Sequence, residues 1–274
     1  MSTSAAKTAH PPGLGMGHRA RCIWTIARLL LLELYRRRDV YVALFLGVLV
    51  VIPLTAVNLF GVEGTVRYLS EVSLLLIWIV SVVVGISMAA RQLPAELQRR
   101  TILPLLSKPI RRSDVVIGKF LGAGLATGSA ILIFYLLFVA LAVTKDLSLG
   151  AAFVQAILLH VGFCFLLSAV TLLGSVLFTP SANVTVVTVV VAGMLLFGER
   201  LPRLAEQSPG VGAGALRAIH WIGPHFEFFD LRLRVVHGWP AAPWTAVVLA
   251  LLYSAAYSGV VLGLACLLFR RKPL

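Results

Sequence analysis

The chain has 274 residues, of which 59% are hydrophobic and only 13% carry a charge. This composition excludes an ordinary soluble domain and is typical of a protein with several membrane-spanning helices. The formal net charge of +13 could suggest nucleic acid as a partner. The three cysteines do not indicate a disulfide framework, because Cys164 and Cys266 lie within apolar runs.

Two short regions precede the first long apolar segment. Residues 1–17 predict a disordered lead, and residues 18–274 predict a single transmembrane domain. Residues 18–38 have helical periodicity, with Arg21, Thr25, Arg28 and Arg36 on one face and apolar side chains over much of the rest. We predict an amphipathic helix in the membrane interface, with a failed additional span as the alternative. A cleaved signal peptide is not expected, because no small-residue cleavage site follows.

Six apolar segments are long enough to cross a bilayer. The first, of about 21 residues, covers a hydrocarbon core of about 30 Å as a helix. We therefore predict an all-α integral membrane fold with six transmembrane helices. The fifth segment is the shortest, and the Thr179-Pro180 break separates it from the fourth. The predicted spans are 40–60, 70–90, 117–143, 151–178, 182–198 and 243–269.

The charges divide between the two sides of this predicted topology. The N-terminal arm, the loop 91–119 and the C-terminal tail hold 17 of the 24 Lys and Arg residues but only four of the 11 Asp and Glu residues. Six spans place these three regions on one side, which the positive-inside rule makes cytoplasmic. We predict a multi-pass protein of the cell inner (cytoplasmic) membrane with both termini in the cytoplasm. Topology and anionic lipid then account for the net charge without nucleic acid.

The loop between the second and third spans is longer than a simple connection requires. The stretch PAELQRRTILPLL begins at Pro94 and has the spacing of a short amphipathic helix, in which a first-turn proline breaks no hydrogen bond. Glycine pairs with GxxxG spacing, which permits close helix packing within or between chains, occur in the third and sixth spans. These pairs are Gly118 with Gly122, Gly124 with Gly128, and Gly259 with Gly263.

The loop also carries a family resemblance. The sequence AELQRRTILPLLSKPIRRSDVVIGKFLG, residues 95–122, resembles the cytoplasmic segment of ABC-2 type transporter permeases. The stretches LELYRRRDVYVAL before the first span and WIGPHFEFFDLRLRVVHGWP before the last are similar to two further family segments, although Gly223 stands where the family often has Ser. Within the family, the chain is most similar to permeases of nitrous-oxide-reductase maturation and gliding motility.

The resemblance implies that the loop contains a coupling helix that docks on a separate ATP-binding subunit. It also implies two permease subunits, identical or different, assembled with two ATPase subunits that bind ATP and Mg²⁺. This chain has no GxxxxGK[ST] phosphate loop, so we expect no cofactor and no enzyme activity in it. The implied docking residues are Glu96, Arg99, Arg100, Thr101, Leu105, Leu106, Lys108, Pro109 and Arg112.

Few polar residues within the spans suggest chemistry. Gln155 and His160 are candidates for a transport pathway, because polar side chains at membrane depth often mark one. His160 and Cys164 are four residues apart and could share a metal, but two ligands do not make a site, so a helix-packing histidine is the simpler interpretation. We predict no metal site.

The external loop, 199–242, is a possible contact for an outside partner. Its histidines are irregularly spaced and fit no standard metal motif. The loop fits a helix and turn on the outer leaflet, with Trp221, Phe226, Phe228 and Phe229 as interfacial anchors.

The expected function is that of an ABC transporter permease subunit, with export as the expected direction. Two alternatives remain open. One is a membrane subunit that uses the same ATPase contact for mechanical work or envelope maturation without transporting anything itself. The other is an ATP-independent membrane scaffold or enzyme.

Overall fold

The computed structural model describes residues 16–36, 41, 65–93, 112–144, 149–208 and 210–271. These residues form nine α-helices and two short 3-10 helices, and no strand occurs among them. The α-helices are α1 (Met16–Arg36), α2 (Thr65–Ala90), α3 (Arg112–Thr144), α4 (Ala151–Leu177), α5 (Pro180–Phe197), α6 (Leu201–Gln207), α7 (Val211–Ile222), α8 (Arg232–Val236) and α9 (Trp244–Arg271). The 3-10 helices are η1 (Gly198–Arg200) and η2 (Phe226–Phe229).

Five segments of the described chain are long and apolar enough to cross a membrane. They correspond to the second to sixth predicted spans, so the prediction of an all-α integral membrane protein is confirmed. The predicted first span, 40–60, and the loop segment 94–111 lie outside the described residues. The five segments are Ser70–Ala90, Arg112–Ala140, Ala151–Leu177, Pro180–Gln207 and Trp244–Arg271.

Helix α4 is the centre of the bundle and packs against α2, α3, α5 and α9. Its apolar side chains point in all directions, as expected for a helix surrounded by protein. Polar side chains connect it to its neighbours: Ser254 Oγ on α9 donates to the carbonyl of Gly162 at 2.8 Å, and Asn183 Nδ2 on α5 donates to that of Thr171 at 3.0 Å. These hydrogen bonds fix the relative positions of α4, α5 and α9.

One end of the bundle, called the basic end below, gathers the end of α2, the start of α3 and the end of α9. Helix α1 also begins there and runs alongside α3 in the same direction. The contacts Arg19–Asp114, Ile26–Gly118 and Leu30–Gly122 advance together along both helices. The two helices therefore make similar angles with the membrane.

Helix α1 therefore runs alongside α3 and does not lie flat in the interface as predicted. Helix α3 has 33 residues and is about 50 Å long, or about 20 Å longer than the hydrocarbon core. Its first turns and the start of α1 can therefore share the interfacial layer. The predicted polar face of α1 is exposed at Arg21, Thr25, Arg28 and Arg36. The predicted boundary at residue 17 stays a prediction, although α1 already begins at Met16.

The opposite end contains the segment predicted as an external loop. Pro180 starts α5 in the first helical turn, where its missing N–H breaks no hydrogen bond. After α5, the helices η1 and α6 continue to a turn at Gly210, whose positive φ of 65° suits glycine, and α7 then returns along α6.

The 3-10 helix η2 enters the bundle core instead of resting on the membrane surface. Phe226 and Phe229 are fully buried, with the ring of Phe226 packed 5.3 Å from that of Phe163. Trp221 and Phe228 remain exposed. The prediction of four interfacial anchors was therefore wrong for Phe226 and Phe229, because local periodicity does not distinguish lipid from an apolar helix surface.

Candidate coupling site

The start of α3 is tied to α1 by an ion pair. Asp114 is 1% exposed and lies in the first turn of α3, where the helix dipole favours a negative charge. Arg19 donates from Nη2 to Asp114 Oδ1 at 2.6 Å and from Nε to Oδ2 at 3.2 Å. These hydrogen bonds and the carboxylate charge raise the pKa of Arg19, so this arginine keeps its charge at every physiological pH. The paired fork fixes both position and orientation.

A second buried charge ties α3 to the end of α2. Lys119 is 2% exposed, and its Nζ donates to the carbonyl of Gln92 at 2.7 Å. Gln92 lies two residues after the last residue of α2, and its carbonyl gives the buried ammonium group a hydrogen-bond partner. Leu93 beside it is fully buried. The chain is therefore held in place up to the residue that precedes segment 94–111.

A third contact ties the start of α3 to the end of α9. Arg112 donates from Nη1 to the carbonyls of Phe269 and Arg270, both at 3.3 Å. Its guanidinium also lies 6.0 Å from the centre of the Phe269 ring. Here a cation meets the unsatisfied carbonyls of a helix C-terminus. Arg112 was predicted to contact an ATPase, and the structure places it at this internal joint.

These three contacts define the candidate coupling site. They fix both stems of segment 94–111, at Leu93 and at Arg112, to four helices: α1, α2, α3 and α9. A force applied to the segment would reach all four helices through short polar contacts. The remaining predicted docking residues lie in the segment itself, outside the described residues: Glu96, Arg99, Arg100, Thr101, Leu105, Leu106, Lys108 and Pro109.

Two glycines of α3 let α1 come close. A Cβ added at Gly122 would lie 2.6 Å from Leu30 Cδ1 and 3.0 Å from Ala27 Cα, and one at Gly118 would lie 2.9 Å from Ile26 Cβ. Gly124 instead faces Phe165 on α4: a Cβ added at Gly124 would lie 2.5 Å from Phe165 Cδ1. Cβ atoms added at Gly128, Gly259 and Gly263 meet nothing within 4 Å among the described residues, so packing at these three stays a prediction.

The two candidate pathway residues have hydrogen-bond partners within the bundle. Gln155 donates from Nε2 to the carbonyl of Ala242 at 2.8 Å and accepts from its N–H at 2.9 Å, which secures the chain just before α9. His160 is fully buried between α2 and α3 and stacks on Trp78, with ring centres 4.5 Å apart. Both positions are explained by packing, and their pathway role stays a prediction.

Hydrogen-bond accounting assigns the protons around His160. The Ser81 hydroxyl donates its proton to the carbonyl of Trp78 at 2.7 Å, so Ser81 Oγ accepts from His160 Nε2 at 2.9 Å. The Tyr135 hydroxyl then donates to Nδ1 at 2.9 Å. This arrangement suits a neutral imidazole and leaves neither nitrogen for a metal shared with Cys164.

The external histidines were the other candidates for a metal. His225 Nδ1 lies 3.0 Å from Glu227 Oε1, and the His220 ring lies 4.7 Å from the His225 ring. Within the part of the chain that the structure describes, no group of three or more His, Cys, Asp or Glu residues could hold a metal ion.

Sequence reasoning did not identify Arg19, Gln92 or Asp114 as parts of this site. One signal was present: Asp114 is the only acidic residue between Gln98 and Phe120, a stretch with six basic ones. A single acid at the start of a helix indicates an ion pair or a favourable dipole contact. No sequence signal named Arg19 as the partner, because that contact joins residues 95 positions apart.

Comparison with known proteins assigns the family. A family model described as ABC-2 family transporter protein matches residues 14–274, which include all the described helices and the segments between them. No curated protein matches the sequence. The matched family consists of membrane subunits of ABC transporters, in agreement with the multi-pass apolar bundle. The chain belongs to the ABC-2 transporter family, as a permease.

Proposed function

We propose that this permease couples ATP hydrolysis by separate ATPase subunits to the movement of a substrate across the cell inner membrane, in the direction of export. The observation that carries the proposal is the candidate coupling site, where Arg19–Asp114, Lys119–Gln92 and Arg112–α9 hold both stems of segment 94–111. A docking segment can move helices only if its ends are firmly attached to them.

In the proposed assembly, two permease subunits act with two ATPase subunits, which bind ATP and Mg²⁺. Segment 94–111 docks on the ATPase and both termini lie in the cytoplasm. Apolar side chains such as Leu105 fit a groove on the ATPase, and basic residues such as Arg99 pair with carboxylates at its rim. Closure of the ATPase pair then pulls on the four helices of the coupling site together.

Affinity purification of the tagged full chain in mild detergent tests the docking step. Wild type is compared with Leu105→Asp, which places a charge in the proposed groove, and with Leu105→Met, which keeps an apolar side chain of similar volume. An ATPase should accompany wild type and Leu105→Met and be lost from Leu105→Asp. The absence of a copurifying ATPase from well-folded wild type would overturn the proposal.

Substrate movement separates transport from purely mechanical work. Inside-out vesicles that carry the complete complex should accumulate substrate when ATP is added, because their interior corresponds to the outside of the cell, and vesicles with Leu105→Asp should not. ATP-driven loss of substrate from the vesicles would overturn the proposed direction. ATP hydrolysis in the wild-type complex without movement of any tested compound would favour the mechanical alternative.

A further inference from the structure

A cavity of about 650 Å³ lies at the opposite end of the bundle, between the continuous run α5–η1–α6 and the returning helix α7. Val189, Gly193, Met194 and Leu204 line one side, and Ile219 and Ile222 line the other. The volume is in the range of ligand pockets, and the lining is almost wholly apolar. Water would find few hydrogen-bond partners there.

The cavity has the length of one membrane leaflet. Its lining runs from Val189, near the middle of the predicted span, to Leu204 on α6. Val189 and Leu204 are fifteen residues apart, about 22 Å along the helices, compared with about 15 Å for half of the hydrocarbon core. The cavity therefore reaches from the region of the membrane midplane to the level of the head groups.

The lining of the cavity suits a hydrocarbon chain. Its wall is almost wholly apolar, and it begins on the lipid-spanning helix α5. A single hydrocarbon chain, whose carbons contact their neighbours at about 4 Å, can lie along such a cleft. A helix of a second copy is the competing occupant, and the cysteine experiment below distinguishes it.

Two arginines lie at the outer end of the cavity. Arg200 and Arg203 are exposed and directly precede Leu201 and Leu204, which line the cavity. Glu199 and Glu206 are also exposed, but at 100° per residue they lie farther around the helical run from the lining residues than Arg200 does. Long basic side chains at the membrane interface extend toward phosphate groups.

We propose that this cavity is a lipid-binding site that holds one acyl chain of an anionic phospholipid from the surrounding bilayer, with its phosphate near Arg200 and Arg203. The acyl chain fills the apolar cleft between α5 and α7, which the described helices leave open. The site does not depend on the proposed ATPase coupling, so it can be tested on the permease alone.

Glycine positions provide matched variants. Gly193 lines the cavity, and an added Cβ meets nothing within 4 Å in the part of the chain that the structure describes, so Gly193→Phe should fill the cleft without disturbing the described helices. Gly193→Leu is a smaller filler with the same expected direction. Gly214→Phe is the control, because Gly214 lies on α7, has equally open surroundings and does not line the cavity.

The experiment uses the full chain in nanodiscs that contain phosphatidylglycerol with a photoactivatable group midway along one acyl chain. After irradiation, peptides from α5 and α7 should carry the lipid adduct. Gly193→Phe should lower this labelling roughly tenfold, the change that a loss of about 1.4 kcal/mol of binding produces. Gly214→Phe should label like wild type. A phosphatidylcholine probe, or Arg200→Gln with Arg203→Gln, should label these peptides more weakly.

Two results would overturn the proposal. One is equal labelling of α5 and α7 in wild type and Gly193→Phe, with both proteins monodisperse and of equal thermal stability. The other is efficient disulfide formation between two copies of Gly193→Cys in membranes, which would show that a second chain covers the cleft.

Discussion

The basic end of the bundle and the segment from α5 to α7 (Pro180 to Ile222), called the α5–α7 arm, are held by different interactions. At the basic end, Arg19, Asp114 and Lys119 make short polar contacts that join α1, α2 and α3. In the arm, α5 buries only Asn183, Val187, Val191 and Met194, and α7 buries no residue. The first region is fixed by direction-dependent bonds of charged groups. The second has neutral hydrogen bonds near its two ends, from Asn183 to the Thr171 carbonyl and from Tyr257 to the Ile222 carbonyl, and apolar contact between them.

This difference shows where the fold is specified most strictly. A charged hydrogen bond fixes distance and orientation, and burial makes its loss expensive. Apolar packing tolerates small shifts and different neighbours, including lipid. The proposed force from an ATPase would therefore enter at the end with the stricter geometry, and the proposed lipid would occupy the end with the looser one. The following predictions test this division, from the largest expected effect to the smallest.

Replacement of His160, which lies between the two regions, should have the largest effect on stability. It removes two buried hydrogen bonds and an aromatic stack at once. His160→Leu leaves the hydroxyls of Ser81 and Tyr135 without their buried partner and removes the stack on Trp78. We expect a loss of about 2–4 kcal/mol. Thermal unfolding in detergent measures it, and ATPase copurification at equal folded protein should be unchanged.

Tyr135→Phe is the milder companion of that variant. It removes one hydroxyl and leaves His160 Nδ1 without its donor, so we expect a smaller loss, of about 1–2 kcal/mol. A His160→Leu protein that unfolds at the wild-type temperature would show that the network does not stabilise the bundle.

Gly122→Ala tests the close approach of α1 to α3. The new Cβ would meet Leu30 and the Ala27 backbone, so α1 must shift, and we expect a loss of about 1–3 kcal/mol. Gly128→Ala on the same helix is the control. Its Cβ meets no described residue within 4 Å, so the better helix propensity of alanine should stabilise the protein by up to about 1 kcal/mol. Equal melting temperatures for the two variants would contradict the α1–α3 contact.

The second to sixth predicted spans correspond to helices of the structure because each is long and apolar. The shortest, predicted at 182–198, is a helix over Pro180–Phe197. The sequence could not predict that Phe226 and Phe229 enter the core, since a lipid-facing and a protein-facing aromatic residue have the same local pattern. Likewise, the Gly-Lys pair at 118–119 resembled a family motif, but only the folded bundle shows Gly118 against α1 and Lys119 on the carbonyl of Gln92.

The ion pair Arg19–Asp114 should have a smaller effect, because Arg19 is partly exposed. Asp114→Asn and Arg19→Gln should each destabilise the chain, and the double variant should lose less than the two single losses combined. Arg21→Gln, an exposed change on the same helix, should be nearly neutral. Melting curves of wild type, the two single variants and the double variant form the double-mutant cycle. Strictly additive losses of stability would show that the interaction between Arg19 and Asp114 contributes nothing. The Asp114→Asn complex should also show weaker coupling of ATP hydrolysis to transport.

Gly259→Leu should have the smallest effect on the chain itself. Among the described residues, neither Gly259 nor Gly263 has a neighbour that an added Cβ would meet, so we expect the free energy of unfolding to change by less than about 0.5 kcal/mol. The predicted use of this glycine pair is contact with a second permease, where a leucine would prevent close approach. Cross-linking in native membranes should therefore give fewer dimers of Gly259→Leu than of wild type, with Gly214→Leu as an exposed control. Unchanged dimer formation would place the interface on another face of the bundle. The two glycines at 259 and 263 would then have no role in contact between permeases.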